Sequence, residues 1–163
     1  SHAVTPIVNK TLEELESYDL LPFESAIASG VDAIMVAHLL YPALDTTDIA
    51  TMSKPILTDY LRGQMGFENL IISDDFRMEG LTTRYEVGDA AVRFILAGGD
   101  MIICGAVSEK QQAIMDALNT AAAEGLLTQE RIDESVKRVL MKKLSLGTWD
   151  IEAAVAARTA DLP

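Results

Sequence analysis

Apolar residues return along this chain in two rhythms. Three short runs, Asp32-Ala33-Ile34-Met35-Val36-Ala37, Leu70-Ile71-Ile72-Ser73 and Met101-Ile102-Ile103-Cys104, are almost unbroken in hydrophobicity. Runs of this kind read as strands buried on both faces, as in a parallel sheet. Between them lie longer segments with helical periodicity. Thr11 to Glu16 opens an acidic helical segment, and Pro22 then stands where a first-turn proline belongs. Phe23, Ala26 and Ile27 form an apolar stripe that stops at Gly30. Ser53 is placed to cap a helix carrying Ile56, Leu57, Tyr60 and Leu61 on one face, with Gly66 ending it. A further helix is expected from about Glu86 to Leu96, before Gly98-Gly99. Ser108 with Gln111 has capping-box spacing for a helix running to about Glu124. Thr128 starts a last amphipathic helix with Ile132, Val136, Val139 and Leu140 on one face. A fourth strand is expected around Val4–Val8, and residues 151–163 form a short Ala-rich tail.

Strands alternating with helices predict an α/β fold with a parallel sheet. Two architectures accommodate the pattern: a small doubly wound sheet, or part of a (β/α)8 barrel. A complete barrel needs roughly 200–250 residues. A chain of 163 residues is too short to close one by itself.

Composition narrows the partners. Hydrophobic residues make up 49% of the chain, which argues for a packed core. The net charge of −12 disfavours phosphate backbones and anionic lipid, so neither nucleic acid nor a membrane is an expected partner. No apolar run approaches the roughly 20 residues of a membrane span. The single cysteine, Cys104, can form no internal disulfide and reads as a small buried hydrophobe. The chain opens Ser1-His2-Ala3, without an initiator Met or a signal-peptide pattern, and so reads as processed or as beginning part-way through a longer protein. Its compartment stays open, cytoplasmic or secreted.

Chemistry concentrates at strand ends. In parallel α/β folds the carboxyl ends of strands line the ligand crevice or the barrel mouth. His38, the adjacent pair Asp74-Asp75, and Cys104-Gly105 all fall there. The plain alternative is that one aspartate caps a helix and the other is solvated. No His-x-His, His-Glu-x-x-His or Cys pair has metal-ligand spacing, no Gly-rich phosphate loop follows a strand, and there is no serine nucleophile elbow. Carboxylate chemistry remains, with Asp as nucleophile or base and His as proton-transfer partner.

The run Ile71-Ile72-Ser73-Asp74-Asp75-Phe76-Arg77-Met78-Glu79-Gly80 resembles the nucleophile segment of glycoside hydrolase family 3, most closely its β-N-acetylhexosaminidase branch. Met35-Val36-Ala37-His38 with Tyr41-Pro42-Ala43, Ala50-Thr51-Met52-Ser53, Ala97-Gly98-Gly99-Asp100 and Leu21-Pro22-Phe23 resemble further family segments in the same order. Ser1-His2 resembles the end of the branch's Asp-Ser-His loop motif, without its Asp. The resemblance implies the second half of a (β/α)8 catalytic barrel over residues 1–150. It implies Asp74 as nucleophile and His2 as general acid/base, and His38 is taken as a substrate-binding candidate. It further implies no metal and no organic cofactor.

The expected activity is retaining hydrolysis of terminal β-linked N-acetylglucosamine, as in peptidoglycan fragments. β-Glucosidase or β-xylosidase activity in the same family is the alternative. The expected partners are a carbohydrate and the missing N-terminal half of the barrel, as a second chain. A competing expectation, from another class, is a doubly wound phosphoacceptor signalling domain built around the acidic pair.

Overall fold

The computed structural model describes residues 5–147 and residue 150. Three strands, β1 (Ala33–Val36), β2 (Leu70–Asp75) and β3 (Met101–Ile103), form one parallel sheet in the order β1-β2-β3. The strand order never reverses among them, as it would in a doubly wound sheet. The expected fourth strand is reduced to a single parallel bridge between Ile7 and Leu40, and Val4 lies outside the described residues.

The helices follow the sequence pattern in position more closely than in winding. Thr11 closes a full capping box on α1 (Leu12–Glu14), which continues as a wider, π-wound turn over Leu15–Asp19. Pro22 sits in the first turn of α2 (Leu21–Ala28) as expected. The segment expected to follow a 3.6-residue period is a π-helix over Pro55–Gln64, closed by Met65 N donating to Tyr60 O at 2.9 Å. It still buries Leu57, Tyr60 and Leu61, and the Ser53 hydroxyl accepts from Ile56 N as the cap predicted. After β2 come α3 (Glu79–Thr82) and α4 (Val87–Ala97), and after β3 come α5 (Ser108–Ala123) and α6 (Gln129–Ser145). Thr128 caps α6 through Arg131 N.

The Ser108–Gln111 capping box does not form. Ser108 is already inside α5, and Gln111 Nε2 instead donates to the carbonyls of Cys104 and Gly105, both at 3.1 Å. The side chain is used to hold the β3 exit rather than the helix start.

One face of the sheet carries the core. Ile34 and Val36 of β1 and Ile71 of β2 pack with Phe76, Leu57, Leu61, Ala90, Ala91, Phe94 and Ile114. Burying a large apolar side chain such as Phe76 stabilises the fold by about 1.5–3 kcal/mol. Gly99 is required where it stands, since a Cβ there would come within 2.1 Å of the Phe94 ring. The other face is bare. Met35, Met101 and Ile103 point away from the core, and Met35 is 56% exposed. Strands read as buried on both faces are therefore covered on one face only by the described residues.

At the amino ends of the strands, a buried ion network ties β2 to α6. The Asp100 side chain is fully buried and accepts from Arg62, Arg138, Ser135 and Ile71 N. Arg131 extends the network to the carbonyls of Ile95 and Gly99. A cleft of about 660 Å³ opens beside it, lined by Arg62, Asn69, Lys137 and Arg138 among others. It lies at the opposite end of the strands from the acidic pair. Among the described residues no helix is long and apolar enough to cross a membrane.

Candidate active site

Asp74 and Asp75 close β2, and the sheet is irregular at this point. Ile72 pairs with Met101 and Asp75 pairs with Ile103, so β2 carries one residue more than β3 between the two pairs. This is a β-bulge, a device that re-aims side chains beside functional sites. Ser73 repairs the ladder there: its fully buried hydroxyl accepts from Ile103 N at 2.9 Å. The alternation of β2 places Ile71 and Ser73 on the core face and Ile72 and Asp74 on the other. Asp74 therefore belongs to the bare face, at the carboxyl edge of the sheet.

The two carboxylates have opposite settings. Asp74 is half-buried; its Oδ1 accepts from Asp75 N at 2.8 Å, and its Oδ2 meets no donor among the described residues. Asp75 is gripped on both oxygens. Arg77 Nε reaches Oδ1 and Oδ2 at 3.1 and 2.9 Å, and Arg77 Nη2 reaches Oδ2 at 2.6 Å. Arg77 N donates to Oδ1 at 2.9 Å, and Gly105 N lies at the limit of reach, 3.5 Å. The Arg77 side-chain hydrogen bonds, opposed by partial burial and helped by the backbone donors, pull the Asp75 carboxyl down to about 2. Asp75 is thus a tied anion and Asp74 an available one.

Gly105 makes room for this arrangement. A Cβ at that position would lie 2.2 Å from Arg77 Cζ, so the guanidinium stacks where a side chain would stand. Cys104, beside it, is partly buried, and burial raises its thiol pKa above the ordinary value.

His38 reaches the same strand end from β1, but from the inside. It is only 3% exposed and its ring meets Phe76 edge-on at 5.8 Å. Nδ1 lies 2.8 Å from Thr51 Oγ1 and Nε2 lies 3.2 Å from the Asp75 carbonyl. A carbonyl only accepts, so Nε2 carries the proton; Thr51 Oγ1 lies within reach of both Nδ1 and, at 3.1 Å, the Ala37 carbonyl, and its single proton serves one of them at a time. Burial pushes the His38 pKa below its ordinary value, against the Asp75 carbonyl and the two nearby carboxylates, which raise it. Both ring nitrogens of His38, the expected substrate-binding residue, are engaged by protein atoms in this structure. His2, the expected acid/base, lies outside the described residues. The nearest described neighbour of that segment is Thr5, whose hydroxyl donates to Gly80 O at 2.8 Å in α3, the short helix that follows Asp74.

Sequence reasoning gave no role to Arg77, Thr51 and Ser73, and placed Gly105 at a strand end without showing what its missing side chain makes room for. An Asp followed two residues later by a residue whose N–H it accepts is a recognised turn signature, so the Asp75–Arg77 pairing was readable. The bulge, and with it the use of Ser73, had no local signal. Among the described residues no group of three His, Cys, Asp or Glu side chains is placed to hold a metal ion.

Residues 1–141 match the family profile described as Glycosyl hydrolase family 3 N terminal domain. A β-hexosaminidase of Chromobacterium violaceum is 40% identical over an alignment 166 positions long, covering 96% of this chain and 44% of that protein. A β-N-acetylglucosaminidase/β-glucosidase of Cellulomonas fimi is 31% identical, covering 90% of this chain and 27% of that protein. Among solved structures, a glycoside hydrolase family 3 β-N-acetylglucosaminidase from Paenibacillus sp. superposes with a TM-score of 0.87 at 39% identity, over 88% of this chain and 28% of that one. The chain spans less than half the length of these relatives.

Proposed function

We propose, from the premise that this chain belongs to glycosyl hydrolase family 3, that it carries the nucleophile of a retaining β-N-acetylglucosaminidase and that this nucleophile is Asp74. The observation that carries the reading is the contrast at the end of β2: Asp75 is neutralised by Arg77, while Asp74 keeps an oxygen without a donor among the described residues. In the first step an Asp74 oxygen bonds to the anomeric carbon as the bond to the leaving oxygen breaks. His2 donates a proton to that oxygen. In the second step water attacks the anomeric carbon, His2 takes its proton, and the bond to Asp74 breaks to regenerate the carboxylate. The Thr5–Gly80 hydrogen bond supports this pairing, since it ties Thr5, three residues after His2, to the helix that follows Asp74.

The bare sheet face is read as the interior of a (β/α)8 barrel. Sequential strand order, helices on one face only and Asp74 at a carboxyl strand end all agree with that architecture. The remaining wall is supplied by a segment outside these residues, in the same polypeptide or as a second chain. The sugar is assigned as N-acetylglucosamine, in peptidoglycan fragments or similar glycans, because the relatives' names carry that activity. The double name of the Cellulomonas fimi protein keeps β-glucosides as the second reading.

The test uses the longest natural polypeptide that contains this chain. Asp74→Ala should abolish hydrolysis of an aryl N-acetyl-β-glucosaminide, and added azide should restore turnover, giving the α-configured glycosyl azide. Near-normal hydrolysis without azide would sink the assignment. Faster wild-type turnover of the aryl β-glucoside would favour the second reading.

A further inference from the structure

Arg77 is the residue of this site that neither the reaction nor the fold accounts for. Its side chain is 45% exposed, so its ion pair with Asp75 adds little as a stabilising contact. Yet it makes a fork onto Asp75 from Nε and Nη2, the geometry that fixes orientation as well as charge. Gly105 leaves the space that the guanidinium needs.

The fork has a direct line to the carboxylate beside it. Arg77 holds the Asp75 carboxylate, and His38 holds the Asp75 carbonyl from the buried side. With both ends fixed, Asp75 cannot rotate, so its N–H points in one direction. That N–H is the donor to Asp74 Oδ1 at 2.8 Å. The plane of the Asp74 carboxylate is therefore set by a residue whose own orientation is set by Arg77. The bulge leaves the ladder irregular here, with Phe76 N donating to Ile103 O at 2.9 Å beyond it, and the contacts to the Asp75 side chain and carbonyl add to that hold.

We propose that Arg77, acting through Asp75, is a positioning residue that aims the Asp74 carboxylate at the anomeric carbon. The inference rests on Asp74 being the nucleophile. Arg77 takes no proton and touches no reacting atom. Its loss removes one of the two holds on Asp75 and loosens the donor that fixes the Asp74 carboxylate, which can then rotate out of line. Misplacement of a reacting group by about 1 Å costs on the order of 100-fold in rate.

The experiment compares Arg77→Ala, Asp75→Asn and Gly105→Ala with Asp74→Ala in the full natural polypeptide, using an aryl N-acetyl-β-glucosaminide. Gly105→Ala displaces the guanidinium by its Cβ while leaving both charges in place. The expected result is a kcat about 100-fold lower in the first three variants, with KM within about twofold and little change in melting temperature. Guanidinium ion at millimolar concentration should recover part of the lost kcat in Arg77→Ala and none in Asp75→Asn, a response that a merely structural role would not give. Wild-type kcat in Arg77→Ala and Gly105→Ala, with Asp74→Ala inactive, overturns the positioning role and leaves the nucleophile standing. A raised KM at unchanged kcat also overturns it, making Arg77 a substrate contact instead. An active Asp74→Ala overturns both. Should Arg77→Ala fail to fold, Arg77→Lys, which keeps the charge but cannot make the fork, is expected to show the same loss of kcat.

Discussion

Replacing Asp100 by Asn should be the most destabilising single-atom change in this chain. The Asp100 carboxylate is fully buried and receives four donors: Arg62 Nη2 at 2.7 Å and Ile71 N at 3.0 Å on Oδ2, Ser135 Oγ at 2.7 Å and Arg138 Nη1 at 2.9 Å on Oδ1. Asparagine has the same shape but turns one acceptor into a donor. Whichever way the amide lies, an NH₂ group faces one of the arginines, and both guanidinium groups lose their shared counter-charge. Breaking a buried ion pair from one side costs about 3–5 kcal/mol. Total stabilities of ordinary domains are about 5–15 kcal/mol, so the loss is a large share. A domain of 150–250 residues shifts by roughly 2–4 °C per kcal/mol and a longer polypeptide by less, which gives a fall of up to about 20 °C. Calorimetry or circular dichroism on the full natural polypeptide measures it. Because the network sits at the opposite end of the strands from Asp74, kcat well below the transition should stay within about twofold. Adding Arg62→Met and Arg138→Met to the variant should recover part of the loss, since the unpaired charges are then gone. A melting temperature within about 2 °C of wild type would show that the buried network does not hold β2 to α6.

Two further outcomes follow from the same geometry. Burial keeps His38 neutral, so the unfolded chain takes up a proton near pH 6.5 that the folded chain resists. The stability that this provides is present in full above about pH 6.5 and is lost as the pH falls below it. Melting temperature should drop between about pH 7 and pH 5 and the drop should shrink in His38→Gln; an unchanged slope in that variant refutes the assignment. The bare sheet face predicts that these 163 residues produced alone expose Met35, Met101 and Ile103 to solvent. Strong binding of a hydrophobic dye and self-association in light scattering are expected, whereas a monodisperse monomer without dye binding would show that the face needs no cover.

Much of this molecule was legible in its residue pattern, for physical reasons that differ by element. The strands β1, β2 and β3 were readable because an unbroken apolar run has few other places to go. The caps at Ser53 and Thr128 were readable because their chemistry is local, a hydroxyl meeting an amide a few residues on. Where a local rule competed with a longer-range partner, the pattern misled. Gln111 had the spacing of a capping box, but two carbonyls at the exit of β3 needed a donor more. The Tyr60 helix kept its apolar face while winding wider than its periodicity implied.

The two adjacent aspartates show where the division falls. The sequence by itself determined that a carboxylate pair ends a buried strand, because hydrophobicity stops at Ser73 and the strand can go no further into the core. Residue pattern could not determine which of the two is free; only the resemblance singled out Asp74. That was decided by tertiary contacts: a bulge against β3, a guanidinium folded back over Gly105, and a buried histidine on the Asp75 carbonyl. Each of these joins residues from different strands or loops. Hydrogen bonds and ion pairs of that kind depend on distance and direction in space, which neighbouring residues in a chain do not encode.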